Sequence, residues 1–146
     1  MTATDIALPT LGAAKVLVVE AGEDASTALT AVLRLKGFDA RWARTAADAL
    51  NCAAADPPRA VVIDPALPDA DGCELIHRLR GCADPPAVVV VTGDTAPELR
   101  RAVSAAGAAA FLLKPADPTE LARLLGRLAD RGRGAARMSP SGTRVA

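Results

Sequence analysis

Four polar residues each close a separate apolar run: Glu20 after residues 15–19, Asp64 after 60–63, Thr92 after 88–91 and Lys114 after 109–113. Alone, each has an ordinary explanation. An aspartate at a strand end commonly caps a helix or shapes a turn, a threonine starts a turn, and a lysine is solvated. Together they are harder to dismiss. If the runs are neighbouring strands pointing the same way, two carboxylates, a hydroxyl and an ammonium share one rim and can bind a charged ligand.

The elements that would have to position them follow one another regularly. Residues 15–20 are short, β-branched and apolar on both faces, as a buried parallel strand must be. Asp24 and Ser26 offer capping chemistry for a helix with Ala28, Leu29, Val32, Leu33 and Leu35 on one face, closed by Gly37. A weaker strand spans 38–43, and Thr45 caps a second helix running to about residue 55. Asp56-Pro57-Pro58 breaks the chain before a third strand over 60–63. A loop holding Pro65 and Pro68 ends at Asp71-Gly72, and Leu75, Ile76 and Leu79 mark a helix within 74–82. Residues 87–91 form the fourth strand, 96–106 the fourth helix with Pro97 in its first turn, and 109–113 the fifth strand. Asp117 caps a last helix striped by Leu121, Leu124, Leu125 and Leu128. Strands alternating with helices predict an α/β fold, a five-stranded parallel sheet with helices on both faces. The flavodoxin-like (βα)5 order 2-1-3-4-5 is the leading arrangement. One domain is expected over 14–130, after an N-terminal extension at 1–13. Residues 131–146 carry four arginines, no acid and several glycines, and read as a flexible basic tail.

Composition narrows the function classes. The chain has 146 residues, 51% hydrophobic and 23% charged, so a core can form. Seventeen basic residues balance seventeen acidic ones, which argues against nucleic-acid binding through a net basic field. Its apolar runs are too short for a membrane span, and residues 1–11 lack the pattern of a signal peptide; a cytoplasmic location is expected. With 34 alanines and only Phe38, Trp42 and Phe111 as aromatics, helices can pack closely on the sheet. Cys52, Cys73 and Cys82 lack metal-site spacing and are expected as reduced thiols in small core or half-buried positions.

The run Asp64-Pro-Ala-Leu-Pro68-Asp-Ala-Asp71-Gly72, then Thr92-Gly93, then Lys114-Pro115 resembles the receiver domains of two-component response regulators, over about residues 14–130. The resemblance implies that Asp64 accepts a phosphoryl group from a phosphohistidine on a histidine kinase or histidine phosphotransfer protein, with Thr92 and Lys114 stabilising it. It implies Mg²⁺ held by Asp64, the backbone carbonyl of Ala66 and acids after the first strand. It further implies a cis Lys114-Pro115 peptide and a switch made of Thr92 and Phe111. Output would pass to a downstream protein through the face of helix 4, strand 5 and helix 5, where Arg100 and Arg101 lie. A stand-alone signalling receiver is therefore expected, with no independent enzyme activity, no nucleic-acid partner and no membrane partner.

One departure stands out. Two adjacent acids normally follow the first strand in this family, whereas this chain has Glu20-Ala21. Glu20 is then the remaining metal candidate, and Glu23 and Asp24 favour the first helix's N-terminus instead. A weakened Mg²⁺ site is expected, the alternative being a phosphorylation-independent pseudo-receiver used for docking. A haloacid-dehalogenase-like phosphatase fits less well, because it needs a second aspartate two residues after the first, where Ala66 stands. A flavin protein fits poorly because the first loop lacks a Ser/Thr/Gly run. The lone His77, in mid-helix, is expected at the surface or rim.

Overall fold

The computed structural model describes residues 13–142, with side chains through 131. Strand β1 (Lys15–Val19) is followed by helix α1 (Glu23–Leu35), β2 (Asp39–Ala43), α2 (Ala46–Ala55), β3 (Ala60–Ile63), α3 (Gly72–Arg80), β4 (Ala87–Thr92), α4 (Pro97–Ala106), β5 (Ala110–Leu113) and α5 (Pro118–Gly142). The strands form one parallel sheet in the order β2-β1-β3-β4-β5, the flavodoxin-like order expected from the sequence.

Apolar residues fill both faces of the three central strands because helices cover both. Leu17, Val19, Val61, Ile63, Val88 and Val90 pack with Ala49, Leu75, Ile76, Leu79 and Val103 of α2, α3 and α4. Their alternate neighbours Val16, Val18, Ala60, Val62, Val89 and Val91 pack with Leu33 of α1 and Leu121, Leu125 and Leu128 of α5. Strand side chains alternate between faces, so a strand buried on both must be apolar throughout.

Local signals behave as their chemistry requires at most boundaries. Thr45 accepts a bond from the Asp48 amide at the start of α2, and Asp117 accepts one from the Thr119 amide before α5. Gly37 (φ +99°) follows α1 and Gly107 (φ +119°) ends α4, both in the left-handed region where a Cβ is disfavoured.

Three local expectations are corrected. First, Gly22, not Asp24 or Ser26, occupies the N-cap of α1; Ser26 is a buried helical residue whose hydroxyl donates to the Glu23 carbonyl. Second, the buried stripe of α1 is Ser26, Thr30 and Leu33, leaving Leu35 63% exposed at the helix end. The i, i+4, i+7 spacing of 26, 30 and 33 defines the face, and Leu35 falls off it. Third, Cys82 is exposed, whereas Cys52 and Cys73 are half-buried, and all three are free.

The backbone of α5 continues past Arg131 to Gly142, where the sequence pattern suggested a flexible tail. A helix already nucleated extends at low cost, and a glycine within it forfeits only about 1 kcal/mol. Residues 1–12 of the expected N-terminal extension and residues 143–146 lie outside the described residues. No helix among the described residues is long and apolar enough to cross a membrane.

Candidate functional site

Parallel register brings the four polar residues together. Val19 pairs with Ile63 and Thr92 with Leu113, so Glu20 and Asp64 leave neighbouring strands at one level. The Asp64 amide bonds the Val19 carbonyl (2.9 Å) and the Lys114 amide bonds the Thr92 carbonyl (2.9 Å), carrying the pairing one residue beyond the strands. All four emerge at the carboxyl ends of β1, β3, β4 and β5, beside the point where strand order reverses.

Lys114 crosses that rim. Its Nζ lies 2.7 Å from Asp64 Oδ2 and 2.7 Å from Glu20 Oε1, although β5 is two strand spacings, about 10 Å, from β3. Only a long side chain bridges that gap. Burial works against the ammonium, but its hydrogen bonds to Asp64 and Glu20 and their charges prevail, and the Lys114 pKa is raised above the usual 10.5. The linked stabilisation is therefore fully present below pH 10.5 and is lost only as the pH climbs through the raised value. At neutral pH Lys114 is a fixed cation against Asp64.

The remaining carboxylate oxygens are also engaged. Asp64 Oδ1 accepts from the Ala66 amide (3.0 Å), and Glu20 Oε2 from the Gly22 amide (3.0 Å). Thr92 is 4% exposed and its hydroxyl accepts from the Asp94 amide (3.1 Å). A hollow of about 30 Å³, near the volume of one water, is lined by Glu20, Asp64, Lys114 and apolar residues including Leu29 and Val91. The Lys114–Pro115 peptide is cis.

Phe111 is half-buried on β5, with the Arg100 guanidinium of α4 over its ring at 5.2 Å from the centroid. His77 is exposed on α3. Glu23 pairs with Arg44 (3.3 Å) at the start of α1.

Sequence reasoning missed Asp69. Its two carboxylate oxygens accept from the Ala46 and Ala47 amides (2.8 and 3.0 Å), so the loop after Asp64 caps α2. Those amides, Ala46 first, hold the Asp69 carboxyl below its ordinary 3.8. Its contribution is whole above pH 3.8 and disappears as the pH falls through the lowered native value. Asp69→Asn is expected to lower the urea midpoint at neutral pH, with the difference shrinking only below pH 3.8 as the pH falls through the lowered native value. Nothing local in the sequence marks Asp69, because its partners lie 22 and 23 residues upstream.

For a divalent cation the donors are few. Ala21 contributes no side-chain ligand, and no group of three or more His, Cys, Asp or Glu gathers for a metal among the described residues. Two carboxylates nevertheless converge on one cation, the Lys114 ammonium, and one or two carboxylates with waters and phosphate oxygens suffice for Mg²⁺. The residues fit a site of reduced charge.

Residues 16–125 match the response regulator receiver domain, and the chain belongs to that family. It is 35% identical over 119 residues to the transcriptional regulatory protein PrrA of Mycobacterium tuberculosis, covering 81% of this chain and 51% of that protein. It is 32% identical to an uncharacterized 14.6 kDa protein of Leptolyngbya boryana, covering 81% and 92% of the two chains. The fold superposes with a TM-score of 0.79 on a CheY-like receiver domain protein of Methanospirillum hungatei, at 23% identity over 84% of this chain and 98% of that one. The chain thus spans about half the length of several curated relatives it matches.

Proposed function

We propose that the chain receives a phosphoryl group in a phosphorelay, with Asp64 as acceptor. The observation that carries this reading is the Lys114 ammonium 2.7 Å from Asp64 Oδ2, across an intervening strand. In the proposed transfer an Asp64 oxygen attacks phosphorus of a phosphohistidine on a histidine kinase or phosphotransfer protein. The P–O bond forms as the P–N bond breaks, and the imidazole leaves with the electron pair and takes up a proton. Lys114 then pairs with a phosphoryl oxygen and the Thr92 hydroxyl turns to donate to another, so positioned charge does most of the work.

Glu20, Asp64 and the Ala66 carbonyl are the groups that would hold Mg²⁺, which when bound supplies positive charge to the phosphoryl oxygens. With Ala21 in place of an acid, occupancy is weak and Lys114 carries more of the neutralisation. Movement of Thr92 and Phe111 would alter the α4–β5–α5 face and its affinity for a downstream protein. The setting proposed is cytoplasmic.

Ala21→Asp tests the metal reading. At limiting Mg²⁺ and with a small phosphodonor, its yield of phosphoprotein by intact mass is expected to exceed wild type by about tenfold, one charged ligand being worth at least about 1.4 kcal/mol. Equal yields across a Mg²⁺ series would remove Ala21 as the limiting feature.

A second reading, a pseudo-receiver that docks without phosphorylation, draws on the same triad: Lys114, Glu20 and Asp64 already satisfy one another. A beryllofluoride adduct that leaves partner affinity unchanged would favour it.

A further inference from the structure

The opposite end of the sheet holds a second charged cavity. It measures about 290 Å³ and lies where β3 and β4 begin, between the end of α3 and the turn of α5 around Leu128 and Arg131. Arg59, Arg80 and Arg131 line it, with Pro57, Pro58 and Pro85 on its walls and Leu128 among its apolar lining. Asp84 is the one acid there, and among the described residues none of the three guanidiniums has a carboxylate within ion-pair distance.

One guanidinium is held by a side-chain bond, and a second arginine is fixed through its backbone. Arg80 donates from Nη1 to the Pro86 carbonyl (2.9 Å). Its aliphatic stem lies over Gly107, where a Cβ would come within 2.9 Å of Arg80 Cγ. Arg59 is half-buried, its amide bonded to the Lys15 carbonyl (2.8 Å) and its own carbonyl to the Ala87 amide (3.0 Å). Like charges gathered in one concavity repel, and the arrangement is relieved by an anion. Planar guanidiniums, each with several fixed donors, suit phosphate oxygens, and the hollow is too small for a drug-sized ligand.

We infer that this arginine-lined cavity binds a diphosphate group, as free pyrophosphate or as the diphosphate of a small nucleotide. The site is separate from the Asp64 rim, and the inference does not depend on the phosphorelay reading. Because α5 contributes Leu128 and Arg131, a bound anion would tie the middle of that helix to the starts of β3 and β4.

The test is a ¹⁵N-resolved NMR titration of the full chain at constant ionic strength, with sodium pyrophosphate in one arm and ADP in the other. Saturable shifts are expected at the amides of Arg59, Ala87 and Arg131, with Ala66 and Gly93 at the far rim unmoved. Arg59→Gln and Arg131→Gln are each expected to weaken binding about tenfold, the scale of one charge-assisted contact. Asp84→Asn should tighten it, and Lys114→Met should leave it unchanged. Tighter ADP than pyrophosphate binding would assign the nucleotide as source, and the reverse the free anion. Non-saturable shifts in both arms, shifts centred on Lys114, or wild-type affinity in both arginine variants would overturn the inference. Arg131→Gln changes an exposed helical side chain, so a folding defect in the Arg59 variant does not block the test.

Discussion

Lys114→Met is expected to slow phosphorylation of Asp64 by about 10²–10³-fold, the usual cost of removing one preorganised charge partner from a developing anion. Methionine keeps the length and apolar stem but has no charge, so the loss isolates electrostatics. In the native site one ammonium faces two carboxylates at 2.7 Å each, and its removal leaves Glu20 and Asp64 without that counter-charge. An incoming phosphoryl group would then meet a rim of purely negative side chains. Phosphodonor kinetics followed by intact mass measure the effect. A change of less than threefold would mean that Lys114 pairs with Asp64 only at rest. The folded variant is identified by an unchanged far-ultraviolet circular dichroism spectrum.

Gly72→Ala is expected to lower stability by about 2–3 kcal/mol, toward the upper range for overpacking, because its obstacle is backbone. A Cβ at this position would lie 2.5 Å from both Cα and Cβ of Pro65 and 2.7 Å from the Pro65 carbonyl oxygen. Gly72 opens α3, with Asp71 as N-cap accepting from the Cys73 amide, and Pro65 directly follows Asp64. The loop therefore closes tightly on itself, and an added methyl pushes on the residue next to Asp64. Urea denaturation measures the stability loss, and phosphorylation should slow in the same variant because Asp64 is displaced. Gly81→Ala is a suitable control, since its nearest neighbour to an added Cβ is 3.5 Å away.

The legible parts of this molecule were those written in local chemistry. Double-faced apolar runs such as 60–63 mark strands with helices on both sides, and the spacing of strand and helix restricts the winding. Each strand's last polar residue could be placed at the rim because parallel strands end together. The order of the motifs around Asp64, Thr92 and Lys114 then supplied a family and expected roles.

What stayed hidden depends on contacts between distant segments. No local signal pairs Glu20 with Lys114, 94 residues further along the chain, where the two carboxylates of Glu20 and Asp64 share one ammonium. Asp69 looked like a loop residue because its two bonds belong to the N-terminus of α2. The start of α1 was misread for the opposite reason. Asp24 and Ser26 have capping side chains, but the chain turns earlier at Gly22, whose amide the Glu20 carboxylate engages. The helix therefore starts behind a local i, i+2 bond and not behind a side-chain cap.

The most direct measurement of the central claim is the intact mass of the purified chain after treatment with a small phosphodonor, with and without Mg²⁺, beside Asp64→Ala treated identically. A single phosphoryl adduct on wild type that is absent from Asp64→Ala is the predicted result. No adduct on wild type under either condition, or an adduct that survives the Asp64→Ala change, would contradict it.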